Sequence, residues 1–211
     1  GYGIHPDDYD AMATFVVNSL ASGGVASQAC GGGGGCGTGL TGADNPEKIW
    51  NCFISKGLKP FQAAAFLGNM QEEAGFEPRR VEYPRNGDSW SEADFPDFLS
   101  DTVPPCIGDR CRPGYGLIQW TAEGRKQALR DFASSPKRPE GDIGLQVDFM
   151  WQELNGDYKG STLDPLLAST TLEEATEIIT RNYEIPSNME EQIALRIEHA
   201  RSWLARFGGG V

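Results

Sequence analysis

Residues 22–43 are almost entirely Gly, Ser, Ala and Thr, with five consecutive glycines at Gly31 to Gly35. A segment of that composition buries too little apolar surface to offset the entropy of ordering it, so it reads as a flexible linker. The chain is thereby divided into a leading piece, residues 1–21, and a compact domain that begins at 44 and runs to 207. With 211 residues in all, the remainder is long enough for one well-packed core.

Within that domain the apolar spacing is mainly helical. Asn45-Pro46-Glu47 is a helix start, followed by Ile49, Trp50, Cys52, Phe53 and Ile54 and closed by Gly57. Pro60 opens a second helix through Ala63, Ala64, Phe66, Leu67 and Met70, with Gly75 as its C-cap. Residues 76–121 are rich in Pro, Gly, Asp and Trp, the composition of a long loop with a short hairpin. Further helices are expected over about 122–134, 141–155, 172–184 and 189–207, with a short one at 161–168. The fold class read from this pattern is mainly α, with a long loop or small β-hairpin region between helices. Residues 1–21 hold a helical pattern of their own, with apolar positions at 9, 12, 13, 16, 17 and 20.

Charge and cysteine content narrow the setting. Thirty acidic against 18 basic residues give a net charge of −12, which argues against a nucleic-acid-binding face. No uninterrupted apolar run is long enough to span a membrane. The opening Gly1-Tyr2-Gly3-Ile4-His5-Pro6 lacks the basic and apolar regions of a secretion signal, so any signal is expected upstream. Five cysteines, Cys30, Cys36, Cys52, Cys106 and Cys111, favour an oxidising, extracellular location. Cys106 and Cys111 can close a small ring, and Cys30 and Cys36 can each pair with the other or with Cys52, which leaves one cysteine over. With two histidines only, no metal site is expected, and no cofactor either.

Two stretches carry the chemistry. Gly68-Asn69-Met70-Gln71-Glu72-Glu73-Ala74-Gly75-Phe76-Glu77-Pro78 puts an acidic pair on the last turn of an apolar helix. A carboxyl there is partly desolvated, which raises its pKa and suits it to donate a proton. Phe66, Met70 and Glu73 share one stripe of that helix, and Phe61, Ala65, Gly68 and Glu72 the next. Periodicity therefore does not choose between Glu72 and Glu73. The second stretch, Gly114-Tyr115-Gly116-Leu117-Ile118-Gln119-Trp120, combines aromatic rings with an amide, the groups that line sugar-binding clefts. On an extended chain Tyr115 and Gln119 face the same side. Taken singly, each stretch also has an ordinary reading, as solvated acids and as a buried turn.

Together the two stretches resemble the phage-tail lysozyme family, whose fold is related to goose-type lysozymes and lytic transglycosylases. The resemblance covers about residues 44–207. It includes Leu145-Gln146-Val147-Asp148-Phe149, Glu153-Leu154 and Asn182-Tyr183-Glu184-Ile185-Pro186. It implies a lysozyme-like helical domain that cuts the β-1,4 MurNAc–GlcNAc backbone of peptidoglycan, with Glu73 as general acid. Tyr115, Gln119, Trp120 and Tyr183 become candidate substrate-binding residues. The second carboxylate that glycoside hydrolysis uses is sought in the loop, among Asp88, Glu92, Asp94, Asp97, Asp101 and Asp109. Asp109 is carried as the candidate catalytic partner, although spacing does not single it out. Without a partner, Glu73 acts alone in the manner of a lytic transglycosylase. A third reading is a peptidoglycan-binding module that keeps the cleft and lacks catalysis.

The leading piece resembles something else. Gly3-Ile4-His5-Pro6 followed by an apolar helix is similar to the last block of SGNH-type hydrolases, but Tyr2 stands where their Asp belongs. Residues 1–21 are therefore expected to be the remnant of a preceding domain without esterase activity. The domain itself is expected to work as a secreted or cell-surface monomer whose partner is the peptidoglycan glycan strand.

Overall fold

A computed structural model describes residues 36, 40–81, 106–107, 110–111, 114–134 and 137–210. The SGNH-like segment, Cys30 and the linker up to residue 35 lie outside the described residues. So do all six loop carboxylates including Asp109, and the side chains of Cys106 and Cys111.

The described residues form seven α-helices with one minimal β-ladder, as a mainly α reading requires. Helix α1, Asn45–Ser55, starts where Asp44 accepts a hydrogen bond from the Glu47 amide at 3.0 Å. It buries Ile49, Trp50, Cys52 and Phe53. A disulfide joins Cys52 to Cys36, 16 residues earlier, and the Cys36 amide donates to Asp148 at 2.7 Å. The far end of the glycine tract is thus fastened to the domain, and Leu40 packs against its core.

Helix α2, Pro60–Ala74, is the spine of the fold. Ala63, Ala64, Ala65, Phe66 and Leu67 are wholly buried, and the helix ends at Gly75 in the left-handed conformation. Such a helix, apolar on nearly all sides, must be surrounded. Helices α6, Leu172–Ile179, and α7, Met189–Phe207, enclose it together with α1. Gly68 makes the closest of these contacts. A Cβ built there would lie 2.5 Å from the Arg196 carbonyl oxygen and 2.9 Å from the Ala200 amide nitrogen, both backbone atoms of α7. Gly68→Ala is therefore expected to force the two helices apart and cost about 1–3 kcal/mol. Thermal denaturation checks this, and an unchanged melting temperature would refute so close an approach.

The central loop ends in the ladder pairing β1, Cys106–Ile107, with β2, Arg110–Cys111, antiparallel and with Cys106 opposite Cys111. Helices α3, Glu123–Ser134, and α4, Ile143–Asn155, follow, the latter capped by Asp142 on the Leu145 amide. A π-helical turn, Lys159–Leu163, leads into α5, Asp164–Ala168. The expected helix over 172–184 is in fact two pieces. Helix α6 stops at Ile179, and Thr180–Glu184 wind as a second π turn closed by Ile185 at φ +51°. Thr180 is buried at this junction, its hydroxyl oxygen 2.9 Å from Asn69 Oδ1 on α2 and 2.8 Å from the Thr176 carbonyl. Among the described residues no helix is long and apolar enough to cross a membrane.

Candidate active-site cleft

The acidic pair at the end of α2 is divided between two partners on α7. Arg196, only 2 % exposed, donates from one guanidinium nitrogen to Glu73 Oε1 and from the other to Asn69 Oδ1 at 2.8 Å. Glu72 Oε1 instead lies 2.7 Å from His199 Nε2. The choice that helical periodicity left open is thus a choice between two environments. Glu73 faces a buried guanidinium held by the core, whereas Glu72 faces a partly exposed imidazole.

Both glutamates border an open cavity of about 870 Å³. Gln119, Arg125, Tyr183, Glu184 and Arg196 also line it. The Gly114–Trp120 run reaches this cavity as a tight turn. Tyr115 and Trp120 pair across it through backbone hydrogen bonds of 3.2 and 2.9 Å, so strand alternation does not apply. Gly116 sits at φ +78°, and a Cβ there would come within 2.7 Å of Gln146 Oε1. Gln146 in turn accepts from the Leu117 amide at 2.9 Å and donates to the carbonyls of Pro78 and Glu140. One buried amide thereby ties three loops together.

This turn separates the four residues expected to touch substrate. Tyr115 and Trp120 are buried at 3 % and 1 % exposure and are not among the residues that line the cavity. They belong to the core beneath it. Gln119 is on the wall, at φ +49°, but its amide nitrogen donates to the carbonyls of Gly116 at 2.8 Å and Arg80 at 3.2 Å. Tyr183 also reaches the wall, almost wholly buried, with its hydroxyl donating to Glu153 Oε2 at 2.6 Å. Asp109 lies outside the described residues.

Glu153 of α4 is a hub that sequence reasoning left without a role. It accepts from the Trp120 indole at 3.0 Å and from the Tyr183 hydroxyl. Arg125 of α3 donates to both of its oxygens, at 2.7 and 2.9 Å. The Arg125 guanidinium also lies 5.2 and 5.0 Å from the rings of Tyr158 and Tyr183. Burial by itself would lower the Arg125 pKa, but its bonds to Glu153 hold it raised. Burial, followed by the Glu153 charge, pushes the Tyr183 phenol well above its usual range. Tyr183 therefore remains a neutral hydrogen-bond donor.

Glu184 also went without a role, although it stands beside Tyr183. The residue borders the cavity, yet its Oε1 is shut off from solvent and has no hydrogen-bond partner. Burial, then the negative charge of Glu73, raises its carboxyl pKa well above the ordinary range, with Arg196 and Arg125 opposing. Its position depends on the π turn and on Ile185, a β-branched residue in the left-handed region and largely exposed. The sequence signal was Tyr-Glu-Ile-Pro at a helix end; the extra residue in the π turn defeats a 3.6-residue reading of where that Glu points.

The family model for phage tail lysozyme matches residues 44–207, most of the chain and the same span as the helical domain. No curated protein matches the chain.

Proposed function

Since the chain belongs to the phage tail lysozyme family, a family of lysozyme-like, peptidoglycan-lytic function, we propose that it is a muramidase. In this reading it hydrolyses the β-1,4 bond between MurNAc and GlcNAc, and Glu73 protonates the leaving glycosidic oxygen. The observation that carries the reading is the position of Glu73. It ends a helix buried along most of its length, borders a cavity large enough for sugar rings, and is held in place by a buried arginine. Rigid support of this kind fixes a reacting group to within the tolerance that acid–base catalysis needs. Tyr183 and Gln119 border the same cavity and offer a phenol and an amide to the glycan.

The Cys36–Cys52 disulfide supports a secreted or cell-surface site of action. A monomer with the glycan strand as its only partner completes the proposal, with residues 44–207 as the catalytic domain and 1–21 as the remnant of another. Purified protein incubated with cell-wall sacculi tests it. New reducing ends at MurNAc are the expected product. Formation of 1,6-anhydroMurNAc would instead assign a lytic transglycosylase, and binding without cleavage would leave a recognition module.

A further inference from the structure

Three carboxyls, Glu72, Glu73 and Glu184, and three guanidiniums, Arg80, Arg125 and Arg196, border the cavity. Arg196 is matched by Glu73, and Arg125 by both oxygens of Glu153. Glu184 shares in neither of these bonds, and its buried Oε1 has no donor to stabilise a negative charge. An unpartnered carboxylate in such a place is costly, and the group neutralises instead. Two carboxyls that repel each other across one site ionise in turn, so that one keeps its proton after the other has lost it. Glu73 is the charge that acts most strongly on Glu184 and keeps its proton in place. Tyr158 borders the same cavity, and the Glu72 on its wall is the partner of His199.

We infer that Glu184 is the second carboxyl of the cleft and forms with Glu73 a catalytic pair that holds a single proton. The inference rests on reading the cleft as glycan-cleaving. In the unliganded protein the proton sits on Glu184, because Glu73 faces Arg196. With substrate bound, this proton passes from Glu184 to Glu73 by way of a water in the cleft, and as the glycosidic C–O bond breaks Glu73 gives it to the leaving oxygen. Water then adds to the anomeric carbon and returns one proton, so the pair ends as it began. One member acts as acid while the other is a base, the division of labour that two-carboxylate glycoside hydrolysis requires.

Glu184→Gln keeps the shape of the side chain and removes the proton store. A lone carboxylate facing a guanidinium takes up a proton only in acid. Turnover of sacculi at neutral pH is therefore expected to fall about 100-fold or more, with the remaining activity displaced to lower pH and the melting temperature little changed. Glu184→Asp, which retains a carboxyl, is expected to recover part of the neutral-pH activity. Difference infrared spectroscopy of the wild-type protein at neutral pH should show a protonated carboxyl band that Glu184→Gln removes. Wild-type turnover and pH profile in Glu184→Gln would overturn the inference, as would the absence of that band. If the wild-type protein cuts no glycan, the proposed activity fails, and the infrared band still decides where the proton lies.

Discussion

Glu73→Gln abolishes glycan cleavage, lowering the release of reducing ends from sacculi by roughly a thousandfold or more, and leaves the fold intact. The amide cannot donate a carboxyl proton, yet its oxygen still accepts the bond from Arg196 that holds the end of α2 against α7. The melting temperature therefore moves by only a few degrees. Glu72→Gln serves as the control. Glu72 also borders the cavity, but its partner is His199, and its loss should leave turnover close to wild type. Full activity in the Glu73 variant would move the chemistry to the neighbouring carboxyl. Loss of activity with loss of the folded signal would mean that Glu73 matters chiefly as the partner of Arg196.

The largest expected effect on stability comes from the other half of that pair. Arg196→Ala removes a buried side chain that reaches Asn69 and Glu73 at once, leaving a cavity and taking from both a charged donor. Breaking a buried charge pair by deleting one partner costs about 3–5 kcal/mol. For a domain of this size that corresponds to a fall in melting temperature of about 10 °C. Arg196→Lys does not rescue it, because one ammonium cannot copy a planar fork that meets two acceptors in fixed directions. Arg196→Met restores volume and should recover part of the loss, since the Glu73 side chain retains 19 % exposure and can turn to water. Chemical denaturation of the three variants checks this order. A change within about 0.5 kcal/mol for Arg196→Ala would refute the role given to the buried guanidinium.

Much of the helical layout was legible from spacing and caps. Asn45 and Gly75 lie at helix ends where the pattern put them, and α1, α2, α3, α4 and α7 follow the expected spans closely. The short helix expected at 161–168 appears as a π turn running into α5. Local rules succeeded there because caps and apolar stripes act within a turn or two of the chain. They failed over 172–184, where a π turn breaks the period. Over 114–120 the chain adopts the buried turn of the ordinary reading rather than the alternation of a strand, with Tyr115 and Trp120 in the core.

By itself, then, the amino-acid sequence determined a helical domain behind a glycine-rich tract, an acidic pair closing its central helix, and two glutamates that one stripe of periodicity could not separate. The family resemblance favours Glu73, and the tertiary structure gives the two different surroundings, setting Arg196 opposite Glu73 and His199 opposite Glu72 from a helix more than a hundred residues later. It also brought Arg125, itself bonded to Glu153, and Glu184 to the same cavity from further segments. The physical reason is range. Helix formation depends on neighbours along the chain, whereas the charge state of a carboxyl depends on burial and on charges that folding alone brings near it.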